Sequence, residues 1–238
     1  MSATLATRLH DEGWEYGKRR FKMFTFSQLF SRAGHSLVES VPVEARITPI
    51  RHLRFTSPCW FFVSSPENQI LQELAQSLLS DREGRLGNNM LQLLAVAVLP
   101  PSELPAGGFT ECDVETMSPI TVYKTDETKH TTYFSPHDAA FEPYIRENAR
   151  RKYAAYMGNE PDLRDFSIRP LEERDHGVTI NFKGTMIRGY TGRFHVTGQS
   201  DVLRFLYDTG VGSKNPEGCG MVSLMDGYRR QGEEGENA

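Results

Sequence analysis

Gly210-Val211-Gly212-Ser213-Lys214-Asn215-Pro216-Glu217-Gly218-Cys219-Gly220-Met221-Val222 carries four glycines in two Gly-x-Gly pairs around a polar segment with one lysine. Glycine tolerates backbone angles closed to other residues and lets a second backbone approach closely. Upstream, Ser200 to Tyr207 reads as a short helix, with Ser200 as N-cap, Val202, Leu203, Phe205 and Leu206 apolar, and Gly210 just past its end. Downstream, Met221 to Leu224 reads as a strand. The stretch is therefore a helix-to-strand loop, the reverse of the strand-to-helix order of nucleotide-phosphate loops, which argues against a Walker or Rossmann site. Two readings stay open: a backbone-lined surface for a polyanion strand, and a glycine-rich turn that binds nothing.

Working outward, the chain divides near Pro100 to Gly108, where prolines and glycines crowd. The first part, residues 1–100, is expected to hold a helix over 3–11, a strand over 22–30, and a hairpin with arms at 52–55 and 60–63. A helix follows over 66–79, started by Ser65 and striped by Ile70, Leu71, Leu74 and Leu78. Met90 to Leu99, rich in Leu and Val, is expected as the closing strand. After a linker at 101–108, residues 109–227 repeat the theme. A strand is expected over 118–124 and a helix over 136–153 behind Ser135, with Phe141, Tyr144, Ile145 and Ala149 on one face. Strands at 178–183 and 186–190 precede the Ser200 helix and the last strand. Residues 228–238 form an acidic tail expected to be disordered.

At 238 residues, 38% hydrophobic and 24% charged, the chain suits two small domains of a globular protein. It has no membrane-length apolar run and no basic-then-apolar leader, and is expected to be cytoplasmic. Three dispersed cysteines (Cys59, Cys112, Cys219) fit reduced thiols better than a disulfide framework or a zinc site. The net charge of −4 is unusual for a nucleic-acid binder. Its distribution is uneven: residues 1–60 hold nine Lys/Arg against five Asp/Glu, and Lys18, Arg19, Arg20 and Lys22 fall within five positions. Local field rather than total charge attracts a phosphate chain.

The glycine-rich stretch resembles the C-terminal signature of the CRISPR-associated repeat-processing endoribonucleases. Three further segments match in the same order: Leu9-His10-Asp11-Glu12-Gly13, then Phe21-Lys22-Met23-Phe24-Thr25-Phe26-Ser27, then Ser118-Pro119-Ile120-Thr121-Val122. The resemblance implies an α+β fold of two tandem ferredoxin-like (βαββαβ) domains, the first lacking its opening strand because Leu9-His10 comes almost at once. A central strand missing from a sheet leaves unpaired backbone groups, which is costly.

The resemblance also implies an activity: cleavage of CRISPR repeat RNA by its own 2′-hydroxyl, giving 2′,3′-cyclic phosphate and 5′-hydroxyl ends. Such a reaction needs proton transfers, which imidazole suits, and charge stabilisation at phosphorus, which an ammonium supplies. On the resemblance these roles fall to His10 and Lys22, with no metal and no cofactor. RNA contacts are expected from Lys18, Arg19, Arg20, Arg188, Arg193, Lys214 and the backbone at Gly210, Gly212, Gly218 and Gly220. The implied partners are the repeat RNA, an effector ribonucleoprotein complex and a second copy of the chain. The competing reading is a repeat-RNA binding or assembly subunit without catalysis.

Overall fold

The computed structural model describes residues 13–32, 35–40, 50–101, 103–105 and 107–225, with 35–40 and 50–53 described by backbone alone. The expected first helix, the chain's opening and the acidic tail lie outside these residues. A small hairpin comes first, β1 (Trp14–Tyr16) against β2 (Arg19–Phe21). A long interrupted hairpin follows. Its outgoing arm is β3 (Thr25–Phe26), β4 (Phe30–Ser31) and β5 (His35–Ser40). Its returning arm is β6 (Ile50–Phe55), β7 (Cys59–Trp60) and β8 (Val63–Ser64). The pairs nest: β5 with β6, β4 with β7, β3 with β8, all antiparallel. The expected hairpin between 52–55 and 60–63 is thus corrected: both segments lie on one returning arm and pair with earlier residues. Both schemes use the same extended segments, so apolar period alone could not separate them.

Helix α1 (Asn68–Asp81) turns Ile70 fully inward, and Leu71, Leu74 and Leu78 are half-buried behind it. The Ser65 hydroxyl accepts the Glu67 N–H (3.1 Å) and donates to the Met23 carbonyl (2.5 Å), so this serine fixes the helix approach as well as the preceding strand. After α1 comes a tight hairpin, β9 (Glu83–Leu86) and β10 (Asn89–Gln92), turning through Gly87 and Asn88. The expected strand Met90–Leu99 is corrected here. Only its first residues are in a strand, and that strand folds back on β9, as a Gly-Asn turn favours. Leu94 and Val98 beyond it are exposed.

The second half forms one antiparallel four-stranded sheet. Its strands are β11 (Phe109–Thr116), β14 (Ser167–Pro170), β17 (Arg193–Gln199) and β18 (Val222–Leu224). The order β14-β17-β11-β18 puts the first and third of these in the centre. Helix α2 (Phe141–Met157) connects the first to the second, and α3 (Ser200–Thr209) the third to the fourth. This is the βαββαβ ferredoxin-like arrangement. Two hairpins are inserted: β12 (Tyr123–Thr125) with β13 (Thr131–Tyr133), and β15 (His176–Phe182) with β16 (Thr185–Thr191). One sheet face supplies Val114, Ile168, Phe194 and Val196 to the core; α2 supplies Phe141, Ile145 and Ala149, and α3 supplies Val202, Phe205 and Leu206. Each Val, Leu, Ile or Phe among these contributes about 1.5–3 kcal/mol on burial.

The two halves share this core. Met23 is fully buried within it, and Trp14 and Phe21 pack against it. The expected linker, 101–108, is also tied down: Leu104 is buried, Arg204 donates to the carbonyls of Leu104 and Pro105, and the Ser200 N–H reaches Gly108 O at 2.8 Å.

Candidate nucleic-acid interface

The glycine-rich loop is a folded, largely buried object. Val211 N–H bonds Gly220 O (2.7 Å), Ser213 N–H bonds Thr121 O (2.8 Å) and Gly220 N–H bonds Pro119 O (2.9 Å). Segment 117–122 therefore works as a strut: all of it is buried, Ile120 exchanges two backbone bonds with Tyr190, and the Ser118 hydroxyl accepts the Met221 N–H at 2.9 Å. It is a single extended bridge between the β15–β16 hairpin and the loop, and of the expected strand 118–124 only Tyr123 and Lys124 lie in one, β12.

The glycines answer to packing. Gly220 has φ +80°, and a Cβ there would meet Val211 O at 2.0 Å; at Gly218, φ +83°, a Cβ would meet the Phe26 ring at 2.7 Å. Gly210 and Gly212 are buried as well. With the amides of Gly210, Gly218 and Gly220 engaged inside the protein, these glycines chiefly let other backbone and Phe26 come close. At the loop surface stand Ser213 and Lys214, both half-buried. Lys214 pairs with Glu217 (3.0 Å) and lies over the Tyr123 ring at 5.7 Å. Burial opposes its charge, but Glu217 more than offsets that, so the ammonium titrates above its ordinary value and stays charged at neutral pH.

Sequence positions nearly two hundred apart meet here. Thr25, three residues after Lys22, donates its hydroxyl to Cys219 O at 3.0 Å, and Phe26 covers Gly218. The segment carrying Lys22 is thereby fastened to the glycine-rich loop. Lys22 itself is half-buried. His10 lies outside the described residues.

Lys18, Arg19 and Arg20 are exposed on the β1–β2 hairpin, where Arg20 pairs with Glu15 at 2.9 Å. That hairpin docks on α2. Trp14 meets Tyr156 with ring centroids 5.7 Å apart, and the Tyr16 hydroxyl accepts from Arg150 (2.9 Å) and donates to Glu160 (3.1 Å). Arg188 lies over the Tyr190 ring at 5.6 Å. Arg193 stands apart from this group. It projects from the outer sheet face, where its Nε pairs with Glu172 at 2.6 Å and Glu115 and Asp113 add negative charge. Its cation is already matched, in acidic surroundings that repel phosphate. Among the described residues no group of three or more His, Cys, Asp or Glu side chains is arranged to hold a metal.

One residue escaped the sequence reading: Lys152, fully buried in α2 and bonded to the loop at Gly210 O and Asn215 Oδ1. The signal was present, because position 152 continues the buried stripe of Phe141, Ile145 and Ala149 at helical spacing.

A tandem ferredoxin-like α+β protein, with the segment that carries Lys22 fastened through β3 to a glycine-rich loop, is the class that this arrangement defines. Residues 102–224 match the family model described as CRISPR associated protein Cas6, C-terminal, and the chain belongs to that family. It is 26% identical over 231 residues to CRISPR-associated endoribonuclease Cas6 1 of Methanocaldococcus jannaschii, covering 93% of this chain and 83% of that protein. Its fold is similar to a Cas6-related protein of Pyrococcus furiosus, with a TM-score of 0.73 at 21% identity over 94% of this chain and 84% of that one. It is also similar to a RAMP protein described as binding different RNA substrates, with a TM-score of 0.69 at 25% identity over 85% and 79% of the two chains. The matches to solved structures run through both halves. No helix among the described residues is long and apolar enough to cross a membrane.

Proposed function

We propose that this chain is an endoribonuclease of CRISPR repeat RNA that needs no metal. In this reading His10 transfers the protons and Lys22 stabilises the negative charge that builds on phosphorus as the 2′-hydroxyl attacks. The products carry 2′,3′-cyclic phosphate and 5′-hydroxyl ends. The observation that carries the reading is the junction of the Lys22 segment with the glycine-rich loop through Thr25 and Cys219. It supports the reading because it ties the segment that carries Lys22 to the loop on which the RNA would lie. Lys214 and the basic β1–β2 hairpin supply backbone contacts, and Arg188 over Tyr190 offers a planar stacking surface for a base. Arg193 takes no part. The mature guide then passes to an effector ribonucleoprotein complex.

The test is incubation of end-labelled repeat RNA with wild type, His10→Ala and Lys22→Ala in the presence of a chelator. Wild-type cleavage is expected to persist. His10→Ala is expected to be about 10²–10⁴-fold slower, and Lys22→Ala about 10²–10³-fold slower. Tight wild-type binding without cleavage would instead establish a binding or assembly subunit. Undiminished cleavage by His10→Ala would remove that residue from the mechanism.

A further inference from the structure

Lys152 is a cation in an unusual place. It is 2% exposed, its ammonium donates to Gly210 O and to Asn215 Oδ1 (3.0 Å), and it makes no ion pair among the described residues. Asn215 passes the tether on, donating to Cys219 O (3.0 Å) and Val211 O (3.3 Å). Cys219 O also accepts the Thr25 hydroxyl. One ammonium thus gathers both stems of the glycine-rich loop and, through Cys219, the strand that follows Lys22. The same helix face leaves a second polar group unmatched. One turn earlier, Asn148 approaches Ser213 Oγ at 3.5 Å, while its buried Oδ1 has no partner.

Burying an unpaired charge is costly, and a neutral donor could make the same two hydrogen bonds. The cost makes sense if the missing anion arrives from outside. We propose that Lys152 is the positioning residue of the RNA-binding loop, and that a phosphate of bound RNA serves as its counter-charge, so that RNA binding and protonation of this lysine are coupled. The proposal rests on the repeat-RNA reading above and adds a regulation to it.

The coupling has a definite sign. Burial alone pulls the ammonium down to about 7. The charged groups on the elements that carry it and its partners include Glu147, Arg150 and Arg151 on α2, Asp208 on α3, and Lys214 and Glu217 on the loop, which also holds the Cys219 thiol. Each of these charged groups has its own partner, and none is paired with the ammonium among the described residues. An RNA phosphate over the loop favours the charged form and raises that value again. RNA affinity is therefore flat below about pH 7 and falls as the pH rises above it, and binding in that window takes up a proton.

The experiment uses full-length protein and repeat RNA carrying a 2′-deoxy nucleotide at the cleavage position, titrated calorimetrically in two buffers of different ionisation enthalpy. Wild type is expected to take up a fraction of a proton. Lys152→Met and Lys152→Gln are expected to lose that uptake and to bind about tenfold more weakly near pH 6. Wild-type affinity in Lys152→Gln would mean that hydrogen bonding alone matters, and uptake that persists in it would mean that another group takes the proton; either overturns the proposal. Should either variant fail to fold, the Lys152 ¹³Cε resonance of wild type, titrated with and without RNA, decides: an unchanged midpoint overturns it. Binding without linked uptake defeats this inference alone, whereas no RNA binding at all defeats the repeat-RNA reading as well.

Discussion

At Gly220 a single methyl group would have to occupy space held by the Val211 carbonyl, at a backbone angle that L-residues avoid. Gly220→Ala is expected to lower stability by about 2–4 kcal/mol, read as a fall in Tm on thermal melting. Gly184→Ala, at φ +82° but with open space around it, serves as the control and is expected to cost about 1 kcal/mol. Lys152 gives a second residue-scale expectation, independent of RNA. Its folded value near 7 lies below the ordinary 10.5, so the unfolded chain binds more protons across that window. The contribution of Lys152 to stability must therefore rise with pH between the two values. Denaturant melts at about pH 7, 8 and 9 should show wild type gaining on Lys152→Met at each step. A constant gap would mean that the lysine is hydrated in solution.

Among elements, the β1–β2 hairpin and β17 carry arginines of opposite prospects. Lys18→Ala and Arg19→Ala are each expected to flatten the dependence of log K for RNA on log salt by about 0.7, measured by filter binding. Arg193→Ala, held by Glu172 in an acidic sheet face, is expected to leave it unchanged. The same elements show what could be read in advance. Helices α1 and α3 were legible from apolar spacing, and Gly210 closes α3 as expected, with its N–H on Leu206 O at 2.8 Å, but Ser200 is the first helical residue, behind Gln199, and not the N-cap. Of the central sheet, β18 was legible, but β11, β14 and β17 were not. In β17 only one face is buried, and Arg193, His195 and Thr197 intervene between Phe194, Val196 and Gly198, so the apolar signal is thin. The β15–β16 hairpin was easily seen because its turn at Lys183 and Gly184 is explicit, yet it is an insertion. Of the candidate site, Lys22 and the loop were legible as motifs. That Thr25 and Phe26 pack on the loop was not, because no local pattern encodes a contact across 194 positions.

For the molecule as a whole, the bond from Thr25 to Cys219 crosses between the halves. Thr25→Val, which keeps the shape and removes the donor, is expected to cost about 1–2 kcal/mol in stability. It should lower cleavage by more than that loss of folded protein explains, measured as kcat/KM on repeat RNA. The Met23 side chain makes a broader point. It belongs to the first half by sequence and to the second by burial, with Trp14 and Phe21 packed beside it. The Lys22 segment and the glycine-rich loop are consequently expected to melt together. Neither half is a portable cassette, and a chimaera that swaps one half between relatives must carry over the matching side of this joint or forfeit the seating of the Lys22 segment on the loop.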